Sequence, residues 1–549
     1  MDLRTEHNKP LNHRIEDWHS LDKKNNFDVI VIGGGIHGAA IARLCSLNGV
    51  DTALFEQQDY ASGTSSRSSK MVHGGLRYLE MFDFKQVFEG IKAREDLFIT
   101  AKHIVRPERF LIPVFDNSLF LKFKMHLGLS LYDLFVKDKL RVHRWIPSNK
   151  LSISNIFGNM RNLKGCFEYY DGLMDDIRLV IDNIVSARLA GALCLNYVKA
   201  TRIGGQKGNK FVIVRDTLSC KEQTITAKVV INCAGPWVRQ IEGLPVTPST
   251  PSLRYSQGTH LLFTKLWNAP SLFLPLEEKG RYYFVWPHSE GTLVGTTERE
   301  ISEIPSDPQP LADEIEEILF RLSRDLPHAE LNRSSLSYCF AGIRTLPVKK
   351  RRNGTKTSEL SRKHIWEYSD GVLSLFGGKY TTAYWTAFEG LKIIWQSLGR
   401  TNKPHSLKSI PLEATATLSN LPYFHQRAQS LGISDHLIKL AGQRMGGNVR
   451  YFANNLHLMQ PLTGDVALNG EVDWAFSIEQ ATSLRDVMRR RLGIEFRKDH
   501  GLSALDQICS IGAKYLPNHN FKLDIQNYQE AMNRLHTLMG ITQTNHLPC

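Results

Sequence analysis

Residues 27–57, FDVIVIGGGIHGAAIARLCSLNGVDTALFEQ, decide the fold. The run Phe27–Ile32 is apolar and β-branched, a cluster of glycines breaks it, an Ala-rich segment follows at helical spacing, and a second apolar run ends at Glu56. Strand, glycine turn, helix and strand form the opening βαβ unit of a Rossmann-type domain. The G-x-G-x-x-G spacing at Gly33, Gly35 and Gly38, with Gly34 between, aims backbone N–H groups and a helix N-terminus at a pyrophosphate. Glu56 stands about 20 residues further on, where a carboxylate accepts hydrogen bonds from ribose hydroxyls. The pattern predicts a bound dinucleotide and leaves NAD and FAD both open.

Working outward, residues 62–70, SGTSSRSSK, form a polar loop, after which MVHGGLRYLEMFDFKQVFEGIKAREDLF (71–98) returns to helical spacing. Alternating β-rich runs at 209–215, 227–233, 260–264, 281–286 and 291–296 predict a substantial sheet suited to covering a substrate. VVINCAGPWV (229–238) is a second strand and turn where backbone can approach a cofactor, placing Ala234 and Gly235 among the candidates. GVLSLFGGKYTTAYWTAFEGLKIIW (371–395) repeats strand, glycine turn and helix, so the chain is expected to return to its first domain. Beyond a connector at 403–416 the spacing is helical, as in WAFSIEQATSLRDVMRRRLGIEF (474–496), which has a strongly basic end. The expected architecture is α/β: a polar lead-in (1–26), a discontinuous Rossmann-type domain interleaved with a β-sheet cap (27–400), and an α-helical C-terminal domain (401–549).

The 549 residues exceed what one core supports, and 42% hydrophobic with 22% charged residues is the composition of a soluble globular protein. The first 26 residues are polar and lack the apolar run of a signal peptide, and no stretch reaches the roughly 18 uninterrupted apolar residues of a spanning helix. Eight scattered cysteines without a C-x-x-C pair predict free thiols and no zinc, and no calcium-loop pattern occurs. The net charge of +13 suits an anionic partner such as lipid, nucleic acid or a phosphorylated substrate, without choosing among them.

ASGTSSRSSKMVHGGLRYLE (61–80) closely resembles the signature of the FAD-dependent glycerol-3-phosphate dehydrogenases. FEYYDGLMDDIRLV (167–180), NCAGPWV (232–238), GTTE (295–298), AGIRTL (341–346), LFGGKYTT (375–382) and, less specifically, DVMRRRLG (486–493) follow in the family's order. The resemblance runs from about residue 27 to 500 and is nearer the bacterial form than the mitochondrial one. It implies FAD as cofactor, oxidation of sn-glycerol 3-phosphate at C2 to dihydroxyacetone phosphate, and transfer of electrons to membrane quinone.

The chemistry then points to particular residues. A dianionic phosphate calls for guanidinium forks, for which Arg77 and Arg344 are the candidates, with Tyr78 beside the first. His73 and Arg77 are four apart, so a helical HGGLRY would put them on one face, although two glycines weaken such a helix. His73 is the first candidate for the base that takes the C2 hydroxyl proton. His260, in SQGTHLLF, matches a pocket position of the family and is the alternative base or a phosphate ligand. Lys379 and the helix after it would stabilise negative charge on reduced flavin, and Lys379 is also a substrate candidate. Thr64, Ser65, Ser66, Gly74, Gly377, Gly378 and Thr381 complete the cofactor candidates, with the serine loop equally suited to capping a helix. No metal ligand set is expected.

The segment LFLKFKMHLGLSLYDLFV (119–136), with Lys122, Lys124 and His126 among apolar residues, suits a membrane interface or a buried core. Together with the basic C-terminal segment and a lipid-soluble acceptor it leads to an expected peripheral attachment at the cytoplasmic face of the cell membrane. A homodimer is allowed and no nucleic-acid module is found. The competing readings are an oxidase that passes electrons from the same substrate to oxygen, another flavin-dependent amine or hydroxy-acid oxidoreductase, and an FAD-containing RNA-binding protein.

Overall fold

The computed structural model describes residues 12–76, 83–115, 119–134, 141–151, 157, 162–276, 281–348, 363–406 and 410–541. Two large sheets carry the α/β part. The first runs Ile365–Ser369, Val372–Phe376, Glu222–Asn232, Asn26–Ile32, Thr52–Phe55, Leu193–Leu195, and its central neighbours are parallel. Asn26–Ile32 lies in the middle, with Val29 opposite Val229 on one side and Thr52 on the other. Being covered on both faces, it is apolar almost throughout instead of alternating. Helices Ile36–Leu47, Asp176–Leu189 and Ala383–Ser397 pack on one face, pinned where Arg43 reaches Ser186 Oγ at 2.8 Å. Strands Val198–Gln206 and Asn209–Asp216 extend the sheet antiparallel beyond Glu222–Asn232.

The second sheet is built largely of antiparallel neighbours. Its axis is the long pair Ser252–Phe263 and Leu336–Val348, in which Ser256 lies opposite Arg344 and His260 opposite Phe340. Gly291–Gly295, Tyr282–His288, Ser271–Pro275, Val105–Val114 and Gly165–Met174 continue it. Along the sequence the chain passes back and forth between the sheets, so neither is a continuous segment.

Three expectations are corrected. The lead-in is not solvated from residue 12 onward: helix His13–Ser20 buries Trp18 against the opposite face of the first sheet, and Arg14 pairs with Asp216 at 2.8 Å. Residues 71–76 are not helical. Met71–Val72 pairs with Gly172–Leu173 as a short strand, Gly75 has φ +82°, and the next described helix begins at Phe84 behind the Asp83 cap. His73 therefore lies on no helix, and Arg77 and Tyr78 lie outside the described residues.

The third concerns the basic segment, which is internal. Arg489 and Arg491 are buried in a wide turn, Asp486–Arg491, that joins the helical C-terminal region to the dinucleotide domain. Arg491 donates to both oxygens of Asp59 at 2.8 and 2.9 Å, and Arg490 Nε to Asp59 Oδ2 at 2.5 Å. Sequence alone shows the cations but not the carboxylate 432 positions away that neutralises them. No described helix is long and apolar enough to cross a membrane.

Candidate active site

A cavity of about 420 Å3 is lined from both sheets. At one end is the glycine turn. Gly33 has φ +102°, and a Cβ there would lie 2.6 Å from the Cys233 carbonyl oxygen; a Cβ on Gly38 would lie 1.8 Å from the Gly33 oxygen. Only glycine permits this approach of strand, turn and helix. Glu56 Oε2 accepts the Gly34 N–H at 2.6 Å and Oε1 the Gln58 N–H at 2.8 Å, and burial raises its carboxyl above the usual carboxylate range. Two carboxylate oxygens offer about four acceptor positions, so lone pairs remain for ribose hydroxyls.

The serine loop ties the two halves of the site together. Ser65 Oγ accepts the Ile36 N–H of the dinucleotide helix at 3.0 Å, Thr64 Oγ1 donates to the Ile343 carbonyl at 2.8 Å, and Ser69 Oγ lies 3.0 Å from His260 Nε2. Ser68 and Lys70, buried next to it, hold the same Asp176 carboxylate at 2.7 and 2.5 Å. Ser66, by contrast, turns from the cavity and donates to the Gly63 carbonyl at 3.4 Å. Gly34, Gly38 and Gly74 likewise shape the wall without facing the cavity. The Gly74 N–H is engaged by Asp171 Oδ1 and Tyr132 Oη, both at 2.9 Å, with Arg94 donating to the same Asp171 oxygen at 2.8 Å.

His73, His260, Arg344, Lys379, Thr381, Ala234, Gly235, Gly377 and Gly378 all line the cavity with Gly33, Gly35, Glu56, Thr64 and Ser65. The His73 N–H donates to Thr381 Oγ1 at 3.3 Å, joining the two loops. His260 is buried, stacked on Phe340 with ring centroids 5.0 Å apart, and its Nδ1 has no hydrogen-bond partner among the described residues. Burial, then Arg344 and Lys70, push its pKa down to about 3, so its imidazole is neutral at ordinary pH. Arg344 Nη2 donates to Thr296 Oγ1 at 3.0 Å and crosses directly over Gly258, where a Cβ would come within 2.5 Å of the guanidinium.

Sequence reading missed several lining residues: His37, Arg67, Ser69, Asp171, Arg281 and Thr296. His37 stood in view inside the glycine fingerprint, and Asp171 and Thr296 inside family-like motifs. Arg281 opens an ordinary strand-like run, RYYFVW, and nothing local marks it.

A dinucleotide cradle closed by a cation-bearing antiparallel sheet is the arrangement of a flavoprotein oxidoreductase. Residues 28–384 match the family described as FAD dependent oxidoreductase. A glycerol-3-phosphate dehydrogenase of Synechocystis is 32% identical over 539 residues, 92% of this chain and 96% of that one. An aerobic glycerol-3-phosphate dehydrogenase of Staphylococcus aureus is 30% identical over 513 residues, 90% and 92% of the two chains. Among solved structures, the glycerol-3-phosphate dehydrogenase of Bacillus halodurans complexed with FAD superposes with a TM-score of 0.73 at 22% identity, covering 98% of this chain and 99% of that one. The chain belongs to the FAD-dependent glycerol-3-phosphate dehydrogenase family, and FAD is its cofactor.

Proposed function

We propose that this protein oxidises sn-glycerol 3-phosphate at C2 to dihydroxyacetone phosphate and delivers the electrons to membrane quinone. The observation that carries the substrate half is the grouping of Arg344, Arg281 and Lys379 with His73 and His260 in a cavity that also contains the cofactor turns. Arg344, held by Thr296, presents a fork for the phosphate, and Lys379 adds a second cation beside the cofactor. His73 takes the proton of the C2 hydroxyl as the hydrogen on C2 leaves with its electron pair. His260, kept neutral by burial, orients the substrate. FAD, when bound, supplies the two-electron acceptor.

The test is anaerobic bleaching of the flavin absorbance by glycerol 3-phosphate, followed by reoxidation. Bleaching reversed chiefly by a quinone analogue is the expected result; rapid reversal by oxygen would make the protein an oxidase instead. Flavin that never bleaches would remove the substrate assignment.

Delivery to quinone calls for attachment at the bilayer, and we place this on the cytoplasmic face of the cell membrane. Helix Leu119–Asp133 supports the reading, since Phe123 and Leu127, four apart on one face, are 65% and 52% exposed, and Leu134 just beyond is 68% exposed. The buried Arg489–Arg491 segment does not contribute. Asp at positions 123 and 127 together (Phe123→Asp with Leu127→Asp) is expected to abolish co-sedimentation with anionic vesicles while glycerol 3-phosphate still bleaches the flavin. Unchanged co-sedimentation would refute this docking face.

A further inference from the structure

His37 occupies a variable position of the fingerprint, between Gly35 and Gly38, on the first turn of the helix Ile36–Leu47. Its Nε2 is buried, with no hydrogen-bond partner among the described residues, and the residue lines the cavity. The ring also lies against the second cofactor turn: a Cβ built on Gly378 would fall 2.7 Å from Nε2 and 2.8 Å from Cε1. One imidazole therefore sits on the helix that opens at the glycine turn and against the turn at Gly377–Lys379, and both turns line the same cavity. A buried nitrogen left without a partner is costly, and a ligand atom that bonds to it removes that cost.

We propose that His37 Nε2 hydrogen-bonds a ribityl hydroxyl of FAD, the stretch of cofactor that joins pyrophosphate to isoalloxazine. A hydroxyl both donates and accepts, so either neutral tautomer is served. Burial, then the nearby His364, push the His37 pKa down to about 3, which keeps the ring uncharged near neutral pH. The proposal rests on FAD binding and is independent of the substrate assignment.

Full-length apoprotein titrated with FAD, and separately with ADP, tests it. His37→Phe keeps a ring of similar size and removes the nitrogen. It is expected to weaken FAD binding roughly tenfold while ADP, which lacks the ribityl chain, binds as before. FAD affinity within about twofold of the parent, or equal loss for FAD and ADP, overturns the proposal. Should His37→Phe fail to fold, His37→Ala supplies the second measurement. Free imidazole is expected to restore its FAD affinity and benzene is not; absence of rescue by imidazole likewise overturns it.

Discussion

Replacing His73 by Asn is expected to lower turnover by about 10²–10⁴-fold, the range general-base catalysis supplies, with FAD content and substrate affinity near those of the parent. The expectation follows from how differently the two cavity histidines are held. His260 is stacked on Phe340 and bonded to Ser69, and its burial together with the charges of Arg344 and Lys70 opposes a positive charge on it. A base whose conjugate acid has a pKa of about 3 is poorly matched to proton abstraction near neutrality. His73 instead sits half-buried where two consecutive backbone N–H groups are fastened, its own by Thr381 and that of Gly74 by Asp171 and Tyr132. Such a seat fixes an imidazole without removing it from the substrate space, which is what a positioned base requires. Stopped-flow bleaching separates the steps. If His260→Asn slows reduction as much as expected for His73→Asn, and His73→Asn leaves the rate intact, the two roles are exchanged.

The second large effect is on stability. Asp59→Asn leaves Arg490 and Arg491 buried without their shared carboxylate, and loss of one partner of a buried ion pair costs about 3–5 kcal/mol. Urea unfolding of the apoproteins measures it. Burial alone would raise the Asp59 carboxyl, but Arg491 and Arg490 outweigh it and hold it well below the usual carboxylate range. A carboxyl whose folded pKa is depressed stabilises fully above its unfolded value, about 3.9, and progressively less as pH falls toward the folded one. The gap between parent and variant is therefore expected to be constant from neutral pH to about 5 and to shrink below about 4. A gap independent of pH down to acid unfolding would show that the carboxylate charge is not what matters.

The parts of this fold that can be read from sequence are those whose cause is local. The Phe27–Glu56 unit declares itself because a largely apolar strand, a turn only glycine can make and an Ala-rich helix are each written within a few residues. The same holds for the closing unit at Val372–Ser397. What escapes is what depends on distant partners. Arg14 and Trp18 look like solvated lead-in until Asp216 and the sheet face are brought beside them, and three consecutive arginines look like a surface patch until Asp59 and Glu479 arrive. At 71–76 an apolar rhythm that continues into a helix conceals a strand, because the competing influence is pairing with Gly172–Leu173. In the site, motif letters pointed to Arg344, His260 and Lys379. Arg281 and the unsatisfied nitrogen of His37 emerge only from the three-dimensional arrangement.

The clamp between Asp59 and Arg490–Arg491 also sets a timetable for biosynthesis. The carboxylate is made 432 residues before Arg491, a delay of about 20–90 s at a synthesis rate of about 5–20 residues per second. Over that interval the opening βαβ unit also lacks Glu222–Asn232 and then Val372–Phe376, the strands that complete its sheet. The opening βαβ unit must therefore wait, exposed to chaperones and proteases, for Arg490 and Arg491 to emerge. Chains ended before Arg490 would carry a first domain whose Asp59 has neither of the two cations that pair with it.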